Sequence, residues 1–318
     1  MSIRLYKENP KRRPNGHGPF FPKHTVEFVN QQSIDAVYYP FIVYENVLNF
    51  EKIDFDKLNK TYDSAEMLML EFYKKMPNTI CKKYRNYLRK KPNKLHTKPL
   101  ILLNHIDMEG EYEIDDDIIN VRTSSHISNK RRLDIIMPPM MPEVEWSGPN
   151  RDIRPAIGFQ GSITTHESRK RSLKYFEQVD GLDTNFFPVD AIFGHIPHAQ
   201  QQQLRQSFVQ NLQQQIFAFA PRGVGNYSVR FFEALRAGRI PVLLDTGMVF
   251  PCEDLIDWHD FIICKQNEDE LVETMFDWVR NRDLVELQRR CREIWENYLK
   301  FSSFLERLPV YVENALSL

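Results

Sequence analysis

Twelve consecutive positions, Arg222 to Glu233 in the stretch "PRGVGNYSVRFFEALRAGRIPVLL" (221–244), hold two arginines, two glycines, a serine and a glutamate. A glycine loop that opens a helix offers backbone N–H groups and the positive end of the helix dipole to phosphate oxygens. Gly223 and Gly225 permit close approach, and the forked guanidinium of Arg222 suits a diphosphate. Ser228 stands where a helix N-cap or a direct phosphate donor would stand. Arg230 and Glu233, three apart on the helix that follows, share a face, from which Glu233 reaches a ribose hydroxyl if that face borders a cleft. Two other readings stand beside this one. The segment is a tight strand-to-helix turn with Arg230 and Glu233 as a surface ion pair, or "GVGNYS" is a partial dinucleotide fingerprint. In the second case Asp245, 22 residues beyond Gly223, would serve as the ribose-binding acid, and Ser228 replaces the third glycine.

Positioning these residues requires strands on both sides. "IFAFA" (216–220) and "IPVLL" (240–244) are short apolar runs suited to buried strands, and the helix between them ends at Gly238, with Pro241 forbidding its continuation. Upstream, "SIDAVYYPFIVY" (33–44), "PLILLN" (99–104), "IINV" (118–121) and "DIIMPP" (134–139) read as strands, and "SAEMLMLEFYKKM" (64–76) as a helix with one apolar stripe. The proline-rich stretch 138–155 marks a boundary, after which the alternation restarts: a strand at "AIGFQG", a helix at "HESRKRSLKYFEQV", a strand at "NFFPVDAIF" and a helix at "AQQQQLRQSFVQNLQQQ". A strand at "FIIC" (261–264) and two terminal helices complete the chain. The expected organisation is α/β: an irregular arm over 1–30, a domain over 31–148, a second over 149–300 and a C-terminal helix over 301–318. In a doubly wound parallel sheet the ligand lies beyond the carboxyl ends of the strands, where the 221–228 loop falls.

Composition narrows the classes. A chain of 318 residues suits two cores, and 42% hydrophobic content with 22 phenylalanines describes an ordinary folded protein. The 42 basic and 43 acidic side chains nearly cancel, so no global field recruits nucleic acid or membrane. Cys81, Cys252, Cys264 and Cys291 have no C-x-x-C spacing, which argues against a disulfide framework or a structural zinc site and for free thiols in a reducing compartment. With no signal-peptide pattern at the start and no apolar run near the roughly 18 residues of a membrane span, a cytoplasmic protein is expected.

The ordered set P-R-G, Ser-x-Arg, E-A-L, glycine and I-P-V, followed by "GMVFPCEDLIDWHDFIIC", resembles the C-terminal signature of exostosin-like glycosyltransferases, family 47. The resemblance is specific over about 50 residues, with weaker echoes at "GFQGSITTHESRKRSL", "LLNHID" and "IIMPP". It implies a GT-B architecture of two Rossmann-like domains with parallel sheets facing a cleft, and inverting transfer of a sugar from a nucleotide-diphosphate donor, UDP by family, to a glycan in surface polysaccharide or glycan assembly. By position, Arg222 would hold the diphosphate with support from Ser228 and Arg230, and Glu233 would contact the ribose. Gly161 and Ser162 close the Phe-x-Gly strand end on the donor side. Retaining GT-B enzymes commonly pair this glutamate with another eight positions earlier. Here that position is Gly225, which favours inversion.

Inversion needs a general base on the acceptor side. Asp107 is the first candidate, His105 the second and Glu109 the third, each alternatively a loop side chain in water. No metal and no cofactor beyond the nucleotide-sugar co-substrate is expected: the aspartates of "IDDDII" (114–119) read as a solvated turn, and His195 and His198 have no third ligand nearby. The run 82–98 carries eight lysines and arginines with Tyr84, Tyr87 and Leu88 interleaved. It reads as a solvated helix surface or as a patch for peripheral membrane contact or a lipid-linked glycan acceptor. No nucleic-acid partner is expected. Two other function classes remain: an NAD(P)-dependent oxidoreductase using the 223–228 loop and Asp245, and a catalytically inactive nucleotide-sugar-binding module.

Overall fold

A computed structural model describes the strands at 4–7, 27–28, 34–40, 65–72 and 100–104, together with residues 118–139, 141, 146–190 and 198–317. Its first sheet has seven strands: β1 (Arg4–Lys7), β2 (Glu27–Phe28), β3 (Ile34–Pro40), β4 (Ala65–Phe72), β5 (Leu100–Asn104), β6 (Ile118–Arg122) and β7 (Asp134–Ile136). They lie in the order β2-β1-β3-β4-β5-β6-β7, every neighbouring pair parallel. Two expectations are corrected. Residues 65–72 are a strand, not part of a helix: β4 lies between β3 and β5, with Leu68 opposite both Val37 and Leu100. A central parallel strand reads as a continuous apolar run, and pairing on both sides overrides the helix preference of Ala, Glu, Met and Leu. Within the stretch expected as an irregular arm over 1–30, β1 and β2 form one edge of the sheet.

The second sheet comprises β8 (Ala156–Ser162), β9 (Asp183–Val189), β10 (Phe217–Phe219), β11 (Ile240–Leu244) and β12 (Ile263–Lys265), in the order β12-β11-β10-β8-β9 and again all parallel. The chain is therefore α/β with two parallel sheets, as a GT-B chain requires. The helices are α1 (Glu167–Phe176), α2 (His198–Gln214), α3 (Val229–Arg236), α4 (Glu268–Asn281), α5 (Leu284–Ile294) and α6 (Phe301–Ser317). Counted from its first strand, the second sheet runs 2-1-3-4-5. The order reverses between β8 and β10, and the crevice beyond their carboxyl ends is where such sheets bind ligands.

The second sheet's core is aromatic. Phe159, Phe176 and Phe219 pack around β8 and β10, and Phe231 on α3 meets Phe250 and Trp258 at ring separations of 5.5 and 5.2 Å. Burial of each such ring stabilises by about 1.5–3 kcal/mol. Gly238 ends α3 at φ +61°, a left-handed conformation that glycine adopts freely, and an added Cβ would lie 2.7 Å from Trp146 Nε1. α6 falls where a C-terminal helix over 301–318 was expected, and a π-helical turn, Trp295–Leu299, separates it from α5. Phe304, Leu308, Tyr311, Val312 and Ala315 of α6 then cover Ile119, Val121, Leu133 and Met137 of the first sheet's end.

Candidate active site

Arg169 of α1 ties the two strand ends of the reversal point together. Its guanidinium donates from Nη1 to the carbonyl of Ser162 at the end of β8 (2.6 Å), from Nη2 to Pro221 (3.1 Å) and from Nε to Arg222 (2.8 Å). Three carbonyls on one planar fork fix the glycine loop against β8. Hydrogen bonds from a charged donor of this kind are worth about 1.5–3 kcal/mol. The far side of the loop is held by Asn226, fully buried, whose amide donates to the Thr246 carbonyl (3.0 Å) and accepts from the Thr246 hydroxyl (2.7 Å).

Within this frame the expected site residues take distinct roles. Gly161 and Ser162 close β8, with the Ser162 hydroxyl accepting from the Thr164 amide at 3.3 Å. The Gly223 amide donates to the Tyr227 carbonyl at 2.9 Å, which pinches the loop shut. Gly225 is buried, Val224 is exposed and Arg222 is half-buried beside them. Ser228 has the extended backbone of an N-cap, φ −128° and ψ 121°, and its side chain makes no capping bond. Its hydroxyl is buried and without a partner, while α3 carries no acidic side chain in its first turn. A buried hydroxyl left unbonded costs about 1–3 kcal/mol, and this one lies at the uncapped first turn of α3.

Arg230 does not face the loop opening, and it is not the surface partner of Glu233. Its guanidinium is buried between the rings of Phe159 and Phe208, at 5.6 and 4.9 Å, and donates to the Gln160 carbonyl (3.2 Å) and Asn211 Oδ1 (2.6 Å). Burial lowers its pKa to about 10, with Glu233 opposing and Arg169 adding to the shift, so it stays charged at neutral pH. It joins α3, β8 and α2 from inside. Glu233 instead pairs along α3 with the buried Arg236, at 3.8 Å. The acceptor-side candidates His105, Asp107 and Glu109, the aspartates of 114–117, the basic run 82–98 and His195 lie outside the described residues, as does the side chain of His198. Among the described residues, no three His, Cys, Asp or Glu side chains converge in a way that could hold a metal ion.

The dinucleotide reading loses its acid and its place. Asp245 spends both carboxylate oxygens locally, Oδ1 accepting from the Gly247 amide (2.9 Å) and Oδ2 from Gln266 Nε2 (2.7 Å). A dinucleotide fingerprint belongs to the first strand-to-helix turn of its sheet, which here is β8 to α1; the glycine loop follows β10.

Residues 123–274 match the family model of the Exostosin GT47 domain. The match covers just under half of this chain. It begins directly after β6 and takes in the glycine loop, Arg169, Asn226 and all of the second sheet's strands. Exostosin-1 of Drosophila melanogaster is 37% identical over 112 residues, 31% of this chain and 14% of that protein. Exostosin-2 of Bos taurus is 27% identical over 100 residues, again 14% of its length, and a probable glycosyltransferase of Arabidopsis thaliana is 28% identical over 96 residues, 18% of its length. The matched stretch thus spans a small fraction of those relatives. Among solved structures, TarM superposes with a TM-score of 0.41 at 12% identity, over 82% of this chain and 56% of TarM. WaaG, a glycosyltransferase involved in lipopolysaccharide biosynthesis, gives 0.38 at 10% identity, over 87% of this chain and 99% of WaaG.

The residues that the sequence reading missed are Arg169 and Asn226 as loop anchors, together with Thr123, Ser124 and His126 after β6. The polar run "RTSSHIS" directly after an apolar strand was the available signal for the last three.

Proposed function

We propose that the protein is a glycosyltransferase that moves a sugar from a nucleotide-diphosphate donor, UDP-linked by family likeness, to a glycan or lipid-linked glycan acceptor in glycan or surface-polysaccharide assembly. The observation that carries this reading is the uncapped N-terminus of α3, with the buried, unpartnered Ser228 hydroxyl, inside the stretch that matches the Exostosin GT47 domain, at the strand-order reversal. A diphosphate oxygen there receives the Ser228 hydroxyl and first-turn amides of α3, with the Arg222 guanidinium at the rim. Glu233, half-buried on the same helix, takes the ribose.

The transfer is inverting: the acceptor oxygen forms the new bond to the anomeric carbon as the bond to the diphosphate oxygen breaks, the acceptor proton passes to a base on the first-sheet side, and the nucleoside diphosphate leaves. Asp107 is the first choice for that base and His105 the second. Gly225, eight positions before Glu233, supports inversion, and the leaving diphosphate is neutralised by Arg222 and the helix dipole, with no metal. The protein acts in the cytoplasm, and the basic run 82–98 supports peripheral contact with anionic lipid.

The test is turnover of a panel of UDP-sugars with glycan acceptors, with and without EDTA. Release of UDP that depends on acceptor and persists in EDTA supports the reading. Tight UDP binding with no turnover for any sugar and acceptor would leave a binding module in its place. Replacing Asp107 by Asn should abolish turnover and keep UDP affinity; full turnover would move the base to His105.

A further inference from the structure

Among the described residues, several places join the first sheet to the second. Two are covalent, the linker 137–155 and the passage from the π-helical turn Trp295–Leu299 into α6, and Cys252 also packs on the first sheet's core and donates to the Tyr311 hydroxyl at 3.3 Å. One more is made only of weak contacts. After β6 the chain runs through Thr123, Ser124 and Ser125 into a one-residue antiparallel bridge, His126 opposite Met248, on the loop that follows β11. The Ile127 amide donates to the Gly247 carbonyl at 2.8 Å and the Val249 amide to the Ser125 carbonyl at 3.2 Å. Beside them Lys130 pairs with Glu253 at 3.1 Å in an exposed ion pair.

Gly247 decides whether this bridge can form. Its φ is +65°, and a Cβ there would lie 2.6 Å from His126 Nε2 and 3.1 Å from His126 Cδ2 and Cε1. The imidazole is held from its other side, where Nδ1 accepts from the Ser128 amide at 3.1 Å and meets the Ser128 hydroxyl at 2.7 Å. The ring is therefore clamped in the pose that needs a bare Cα opposite it. The segment that leads into the bridge holds two unsatisfied hydroxyls. Thr123 Oγ1 and Ser124 Oγ are both buried with no hydrogen-bond partner. Two backbone hydrogen bonds and a glycine contact favour the closed bridge, while two buried unpartnered hydroxyls directly before it oppose it. The same loop touches the glycine loop, since Thr246, one residue before Gly247, carries both bonds to Asn226.

We propose that the bridge between Ser125–Ile127 and Gly247–Val249 is a reversible latch setting the ligand-facing edge of the first sheet against the nucleotide loop, closed through the bare Cα of Gly247 under His126. That the loop takes a nucleotide rests on the function proposed above; the latch itself does not. His126 and Gly247 are positioning residues. Their effect on the bound nucleotide passes through Thr246 and Asn226.

The experiment is amide hydrogen exchange on the full chain, reading peptides that cover 123–129, 246–250 and, as an internal reference, β10. Gly247→Ala should speed exchange at least tenfold in both latch peptides and leave β10 unchanged. In a His126→Ala background the same substitution should change exchange by less than threefold, because the clash is gone while the backbone strain at φ +65° remains. Acceleration confined to 246–250, or equal acceleration in both backgrounds, would mean local strain only and overturn the latch. Thr123→Val with Ser124→Ala should slow exchange severalfold in both peptides; faster exchange would show the hydroxyls to be bonded in the closed form and overturn its reversibility. Saturating UDP should slow both peptides. UDP that binds by calorimetry without slowing them would break the coupling to the nucleotide loop. UDP that fails to bind strikes at the proposed function, while the Gly247–His126 pair still decides the latch.

Discussion

The helix N-termini of the second sheet fall into two groups. At α1 the imidazole of His166 accepts from the Ser168 amide, at α4 Asn267 accepts from Glu270, and at α5 Asp283 accepts from both Val285 and Glu286. Each of these helices also carries at least one acidic side chain in its first turn. Only at α3, among these four, does the N-cap residue turn away from its own helix, and there the first turn has no acid. Three ends have been closed by the protein's own groups, and one is left for something else. On the function proposed above, the difference separates residues that hold the fold from residues that meet the ligand, although both sets lie close together in sequence.

That contrast can be broken from either side. The largest effect is expected from Arg230→Ala, which removes the bonds to Gln160 and Asn211 and empties the space between Phe159 and Phe208. The folded state should be destabilised by about 2–4 kcal/mol, read from denaturant midpoints without nucleotide. A variant as stable as the wild type with weakened UDP binding would return Arg230 to the ligand. Next comes Arg169→Ala, which frees three carbonyls at the reversal point and should lower stability by about 1.5–3 kcal/mol and UDP affinity together. Asp283→Ala should cost about 0.5–2 kcal/mol of stability and leave UDP affinity untouched, as befits a closed end.

The smallest expected effect concerns the half-buried thiols of Cys252 and Cys264. Burial raises Cys252 to about 11 and Cys264 to about 12 from an ordinary value of 9.0. The unfolded chain gives up these protons first, so stability contributed by the neutral thiols is complete below pH 9 and falls as pH rises towards 11. Replacing both by Ala should flatten the alkaline limb of a stability–pH curve. An unchanged limb would assign it to other groups.

Much of the second sheet's half was legible. The apolar runs at 216–220 and 240–244, the two glycines of the loop and Gly238 as the helix stop gave strand, loop, helix and strand, because each signal is local. The strand at 65–72 was hidden, since Ala, Glu, Met and Leu are helix formers and only neighbouring strands make them extended. The two arginines of "PRGVGNYSVR" look alike on paper. What separates them is Gln160, Asn211 and Phe208, residues that lie 19 to 70 positions away from Arg230 and that no local spacing reveals. Ser228 stands at the N-cap position that the sequence indicates, but whether it caps its own helix or stays open is decided by a side-chain torsion the sequence does not encode.

The most direct measurement is a calorimetric titration of UDP, with NAD as control, into the wild-type chain and Ser228→Ala. The account predicts UDP binding and none for NAD, with UDP affinity five- to tenfold weaker in Ser228→Ala, about 1 kcal/mol, and stability equal to or above the wild type because a buried unpartnered hydroxyl has been removed. Unchanged affinity together with a loss of stability would show that Ser228 belongs to the fold like the other caps, and would contradict the claim that the open end of α3 is a nucleotide site.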